Sequence, residues 1–284
     1  MEDRSATRRL RLGVIGLGNV GNALRHTLSF YHDTVGYDIR NDFPWEAILN
    51  TDAVFVCVST PEAVDGRLDC ESVRDVLGRL AASGYRGLVA VRSTVRVGFM
   101  EEVSRVFPGL RLVYFPEFLR ERSRLQWSVC PDRLVVGGDP VDCERVLSCF
   151  DWVEEAPRLQ MTFRDAELGK LAHNAFIATK VSFTNEIERI CREQGADPEE
   201  VMSVVAADRR VGSSDHLRPG LGPYEGSCVP KDTRELRFVA ANPVLLAAVE
   251  AVNEEARIRQ PQACLRGPID TPLVPRPPPL EGRT

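Results

Sequence analysis

A short apolar run, Leu10-Arg11-Leu12-Gly13-Val14-Ile15, passes directly into Gly16-Leu17-Gly18-Asn19-Val20-Gly21, after which Ala23, Leu24 and Leu28 recur at helical spacing. The order is strand, glycine turn, helix, and it restricts the fold more than any other feature of the chain. Glycines let the backbone turn tightly and approach a ligand, and the helix N-terminus turns amide donors and a positive dipole towards it, a geometry suited to a pyrophosphate. A second short strand, Thr34-Val35-Gly36-Tyr37, ends at Asp38, 22 residues past Gly16. A carboxylate at that distance accepts hydrogen bonds from adenosine ribose hydroxyls and repels a 2′-phosphate. The ligand expected is therefore NAD rather than NADP, held by Gly16, Gly18, Asn19, Val20, Gly21 and Asp38. Arg40 belongs to the same set and qualifies the preference, because an arginine just behind the acid can receive a 2′-phosphate.

Further apolar runs follow at the spacing of strands joined by helices: residues 53–58, Leu88-Val89-Ala90-Val91, Leu112-Val113-Tyr114 and Leu134-Val135-Val136. Continuous apolar runs suit strands of a parallel sheet covered on both faces. The expected fold is α/β, with an N-terminal Rossmann-like, doubly wound parallel sheet over residues 1–160. The runs end in Ser59-Thr60-Pro61, Ser93-Thr94-Val95 and Pro116-Glu117. Carboxyl ends of strands line the ligand crevice in such sheets, which makes Thr60 and Thr94 cofactor candidates; both residues also suit turns or helix caps.

From Asp165 to Gln194 the pattern changes to a long helix, with Leu168, Leu171, Ala172, Ala175, Phe176, Val181 and Ile187 among its apolar positions. An all-helical central unit over residues 161–260 is expected. Glu167, Lys170 and Asn174 share one helix face at spacings of three and four. Such a trio is either a solvated stripe or, on a helix buried on most sides, the lining of a pocket. Cys228 lies in Gly226-Ser227-Cys228-Val229-Pro230-Lys231-Asp232. Pro230 suits the first turn of a helix, so the thiol would sit at a helix N-terminus with a lysine three residues on, and both features favour thiolate. An ordinary buried thiol preceding a proline-started helix is the other reading.

The 284 residues are enough for one large domain or two ordinary ones. A net charge of −5 leaves no basic excess to neutralise phosphates, which excludes a general nucleic-acid or membrane-surface binder. The eight cysteines contain no C-x-x-C pair, so neither a metal site nor a disulfide framework is expected and reduced thiols in a cytoplasm fit best. The charged first residues lack the apolar core of a signal peptide, and no run is long and apolar enough to span a membrane. Residues 261–284 are rich in proline and read as an extended or disordered tail.

Several ordered motifs together resemble the UDP-glucose/GDP-mannose dehydrogenase family over about residues 10 to 257: Gly16 to Gly21, Val58-Ser-Thr-Pro61, Ser93-Thr-Val95, Pro116-Glu-Phe-Leu-Arg-Glu121, Asp132 to Gly137, Ala166 to Asn174, Lys180 to Glu186 and Ser227 to Asp232. The resemblance implies NAD-dependent oxidation of a nucleotide-sugar 6-hydroxymethyl group to the carboxylate, UDP-glucose being the substrate of first choice. By the same resemblance Cys228 attacks the aldehyde to give a thiohemiacetal and then a thioester. Glu117 activates or positions water, Lys170 and Asn174 stabilise the oxyanion, and Asp232 orients water or its neighbours. The nicotinamide would lie near Thr94, Glu121 and Lys231. Phe118, Leu119, Arg120, Glu121, Tyr224 and Gly226 would meet the sugar nucleotide beside Lys170 and Asn174. Arg210 would reach into the partner's pocket in a homodimer.

Two departures from the family pattern bear on function. The glycines that usually precede the Ser-Cys pair are replaced by Pro223-Tyr224-Glu225-Gly226, with others at Gly220 and Gly222, and Arg122 stands where a glycine is usual. Proline fixes φ, and a glutamate directed at the sugar would disfavour anionic substrates. Family members also continue into a third, nucleotide-gripping domain, which a tail of ~25 residues cannot build when one crossover unit needs about 30. Three expectations follow: a separate chain completes the substrate site, the substrate is smaller or differently held, or activity is lost. A non-catalytic, partner-dependent NAD-binding subunit and a single-step hydroxy-acid-type dehydrogenase using Lys170 are the competing readings.

Overall fold

The computed structural model describes residues 9–41, 43–118, 128–209, 211–212, 216–226 and 228–259. Its first half is a seven-stranded sheet built from β1 (Arg11–Ile15), β2 (Asp33–Tyr37), β3 (Ala53–Val56), β4 (Leu88–Val91), β5 (Arg111–Tyr114), β6 (Leu134–Gly138) and β7 (Arg158–Met161). The order is β2-β1-β3-β4-β5-β6-β7. Because β2 lies on one side of β1 and β3 on the other, the connections diverge at the carboxyl end of β1, and a crevice opens there.

Residues of β3 and β4 are buried throughout, as the continuous apolar runs require. Alternate residues feed two cores. On one face Ile15, Val54, Val56, Val89 and Val91 meet Val73, Leu77 and Leu80 of α3 (Glu71–Ala82) and Phe99 and Val103 of α4 (Phe99–Val106). On the other, Leu12, Val14, Phe55, Ala90 and Val113 meet Leu24 and Leu28 of α1 (Asn19–Ser29) and Val146 and Leu147 of α5 (Pro140–Ser148). A short α2 (Trp45–Leu49) follows β2.

Two features depart from the all-parallel expectation. β6 runs antiparallel to β5, pairing Val113 with Gly138 and Tyr114 with Gly137. β7, parallel to β6, completes the edge with mostly exposed residues and no apolar run to announce it.

The helical half begins at once. α6 (Phe163–Gln194) is 32 residues long, about 48 Å at the standard rise. Thr162 caps it by accepting from the Asp165 amide, and Gly195 ends it at φ 68°. Its first turn packs so closely on β6 that a Cβ on Gly137 would lie 2.8 Å from both the Ala166 Cβ and the Thr162 carbonyl oxygen. α7 (Pro198–Ala206), α8 (Val229–Val239) and α9 (Val244–Arg259) follow; Ala178 and Val181 of α6 share a small core with Tyr224 and Val249. Among the described residues no helix is long and apolar enough to cross a membrane.

One buried carboxyl joins the halves. Glu167, fully buried on α6, accepts from the Gly98 amide at 2.6 Å and the Met100 amide at 2.8 Å, closing the N-terminus of α4. Burial pushes its carboxyl up to about 7, against the two amide donors, which favour the charged form. Between the ordinary carboxyl value and about 7 the unfolded chain has lost a proton that the folded chain retains, so this group removes stability as pH rises through that window. Thermal midpoints measured from pH 5 to pH 8 are expected to fall more steeply for the native chain than for Glu167→Gln, which cannot ionise, with the two stabilities within about 1 kcal/mol at the acid end. Equal slopes would remove Glu167 as the source.

Candidate active site

The glycine turn has little freedom to be anything else. Gly16 adopts φ 88°, and a Cβ there would stand 2.7 Å from the Cys57 carbonyl oxygen; one on Gly21 would stand 1.9 Å from the Gly16 carbonyl oxygen. Gly18, which precedes α1 without a side-chain cap, has nothing within 4 Å of its would-be Cβ. Two glycines thus pack the turn onto strand and helix, and the third leaves an open face before the amides of Asn19 and Val20. That shape fits a dinucleotide pyrophosphate at a helix N-terminus. Asp38 follows β2 and is buried; its Oδ2 accepts from the Leu17 amide at 2.8 Å, tying the acid to the turn. Arg40 also binds this carboxylate and holds it well below the usual carboxylate range.

Thr60 and Thr94 lie buried at the ends of β3 and β4, where the crevice opens, and neither caps a helix: Cys70 precedes α3 and Gly98 precedes α4. Ser93 donates to the Val58 carbonyl at 2.6 Å and so clips the two loops together.

The polar stripe of α6 is buried, with Lys170 3% and Asn174 6% exposed, and each member faces a different element. Glu167 reaches α4. Lys170 Nζ stands 4.0 Å from Glu117 Oε1, beyond β5, and 5.1 Å from the centre of the Phe118 ring. The Asn174 side-chain amide donates to Asp232 Oδ2 of α8 at 2.6 Å, and its oxygen is 2.9 Å from His173 Nδ1. Asp232 is fully buried and also holds the Lys231 ammonium at 2.7 Å. Cys228 is the N-cap residue of α8, with Pro230 in the first turn, and is exposed. The helix that carries it is moored to the sheet half: Glu235, fully buried, accepts from the Leu68 amide at 2.8 Å and lies 3.5 Å from Arg67, and Arg234 pairs with Glu62.

At the seam between the sheet's carboxyl edge and the helical half, Lys170 therefore meets Glu117 and Phe118, and Asn174, one turn along α6, meets Asp232, one turn into the helix that Cys228 begins. Lys231 binds Asp232. Tyr224 is 4% exposed, packed with Ala178 and Val249, and its backbone is gripped by Asn253, which accepts from its amide at 2.7 Å and donates to its carbonyl at 3.2 Å. Gly226 follows at φ 88° and Glu225 is exposed. Leu119, Arg120, Glu121, Arg122 and Arg210 lie outside the described residues.

Three residues went unremarked in the sequence. His173 packs edge-on against Phe118 at 5.2 Å, and burial lowers its pKa. Arg133 stands 4.1 Å from the Phe118 ring centre. Arg92, 7% exposed and 4.5 Å from the Phe115 ring centre, has no hydrogen-bond partner at Nε or Nη1. An arginine closing the apolar run of β4 was the one signal that could have drawn attention to it.

Comparison with known proteins agrees with this arrangement. Residues 33–150 match the NAD binding domain of the UDP-glucose/GDP-mannose dehydrogenase family, and residues 164–255 match its central domain. The UDP-glucose 6-dehydrogenase YwqF of Bacillus subtilis is 36% identical over 205 residues, 69% of this chain and 46% of that protein. A UDP-glucose dehydrogenase structure from Pyrobaculum islandicum superposes with a TM-score of 0.74 at 31% identity, covering 92% of this chain and 70% of that one. The 3-hydroxyisobutyrate dehydrogenase of Mycobacterium tuberculosis shares the fold, with a TM-score of 0.69 at 15% identity over 91% of this chain and 96% of that one. The chain spans about half the length of the curated relatives it matches. The two family matches together span most of the chain, and the chain belongs to the UDP-glucose/GDP-mannose dehydrogenase family, of which it carries the NAD-binding and central domains.

Proposed function

We propose that the chain oxidises the 6-hydroxymethyl group of a nucleotide sugar, UDP-glucose first among candidates, to the carboxylate through a covalent intermediate on Cys228. The observation that carries this reading is the seam itself: a cysteine at a helix N-terminus, an amide anchored on a buried acid, and a buried lysine beside a carboxylate. Bound NAD supplies the hydride acceptor for both oxidations. Gly16, Gly18, Asn19, Val20, Gly21 and Asp38 would hold it, with Thr60 and Thr94 along the crevice.

The chain's own groups divide the remaining work. Glu117 takes the alcohol proton directly or through water as the hydride leaves. The Cys228 sulfur adds to the aldehyde, and the new oxyanion is met by the Lys170 ammonium and by the second N–H of the Asn174 amide, whose first N–H is committed to Asp232. Loss of a second hydride gives the thioester. Water positioned by Glu117 then cleaves it to acid and thiol. Holding the aldehyde covalently keeps one site in control of both steps. Asp232 fixes the rotamer of Asn174 and neutralises Lys231, a positioning role.

A homodimer belongs to the same proposal. Phe176, Phe183 and Ile190 stand 61%, 44% and 40% exposed along α6 at intervals of seven, an apolar stripe suited to a second long helix. No disulfide joins any of the seven cysteines described.

Purified chain, incubated with excess NAD and separately with UDP-glucose, GDP-mannose and related sugars, is expected to yield two NADH per acid formed. One NADH per product would replace this reading with a single-step oxidation, and no NADH with any sugar would sink it for those substrates. Cys228→Ser is expected to abolish acid formation, by about 10³-fold or more; unchanged acid production would exclude the covalent route. Lys170→Ala is expected to lower kcat by about 10²–10³-fold while NAD binding, measured by titration, is unchanged.

A further inference from the structure

Asp38 is the acid that should read the adenosine ribose, yet its acceptor capacity is already taken. Oδ1 accepts from the Arg40 amide at 3.0 Å and from Arg40 Nε at 2.9 Å; Oδ2 accepts from the Leu17 amide at 2.8 Å and from Arg40 Nη2 at 3.1 Å. A carboxylate offers about four lone-pair sites, and four donors occupy them. The Leu17 bond belongs to the glycine turn. The other three come from Arg40, whose guanidinium lies flat against the acid as a bidentate fork. A ribose hydroxyl can be accepted by Asp38 only if Arg40 gives way.

The same fork changes the charge that the ribose end presents. Asp38 is 6% exposed at its side chain and Arg40 is 71% exposed, so the acid lies beneath and the cation on top. A guanidinium carries five N–H donors; two are spent on Asp38, and three remain for a ligand. The repulsion by which a bare acid excludes a 2′-phosphate is therefore cancelled, and a planar donor set matched to phosphate oxygens stands in its place. A charged group held by two hydrogen bonds on a buried partner is also pre-organised, which lowers the entropy lost when it binds.

We propose that Arg40 sets the cofactor selectivity of this chain and that, through it, the site accepts NADP as well as NAD. In the NADP complex Arg40 stays on Asp38 and donates its remaining N–H groups to the 2′-phosphate. In the NAD complex Arg40 swings outward and the ribose hydroxyl takes its place on Asp38. This proposal concerns binding alone and holds whether or not Cys228 is catalytic.

The test is a fluorescence titration of the whole chain with NADH and with NADPH, at low and at high salt, for the native sequence and for Arg40→Ala. Arg40 is a surface side chain, and a thermal midpoint close to native would show that the variant is folded. The native chain is expected to prefer NADH over NADPH by no more than about 30-fold, and Arg40→Ala to raise that preference by about tenfold or more, mainly by weakening NADPH. NADPH binding to the native chain should also weaken more with salt than NADH binding does. A native preference steeper than about 30-fold, or a ratio that Arg40→Ala moves by less than about tenfold, overturns the proposal. Should Arg40→Ala not fold, Arg40→Lys, which keeps the charge and loses the fork, is expected to bind NADPH more weakly than the native chain; equal binding would have the same overturning force.

Discussion

Everything at the seam depends on one helix carrying polar groups into an interior. Glu167, Lys170 and Asn174 share a single face of α6 across about two turns, and each is closed off by a different element: α4, the strand end at Glu117, and α8. An unsatisfied buried polar group costs several kcal/mol, so these three contacts are demands as much as interactions. Meeting them all fixes the rotation of α6 against the sheet. It also fixes the position of α8, and with α8 the cysteine at its start.

The dinucleotide cradle obeys a different constraint, that of close approach. Gly16 and Gly21 cannot carry a Cβ without striking backbone, and Asp38 is drawn to the turn by the Leu17 amide. The cradle is thus built from backbone, whereas the chemical seam is built from side chains. The two meet where the loops at Thr60 and Thr94 are clipped together by Ser93.

The parts legible in the sequence were those with a local signature. The strand-glycine-helix unit, the apolar strands β3 and β4 and the long α6 announce themselves by period, and the buried stripe of α6 was one of two readings that spacing allowed. The polarity of β6 and the existence of β7 had no such signature, since an edge strand with exposed residues needs no apolar run. The grip of Asn253 on Tyr224 had none either, because the two are 29 residues apart and the bond is made to the backbone. Likewise Arg40 was visible two residues behind Asp38, but only geometry shows a fork closed on the acid.

The amides of Gly98 and Met100 give the closure by Glu167 a wider meaning. The start of a helix in the sheet half finds its acceptor in the helical half, while Glu235 in the helical half takes an amide at Leu68 in the sheet half. Each half therefore stores part of the other's hydrogen-bond complement. The line between residues 161 and 163 divides the molecule by shape, but melting should not follow it: separation would strand the carboxyls of Glu167 and Glu235 on one side and the amides of Leu68, Gly98 and Met100 on the other, so the two halves form one cooperative unit.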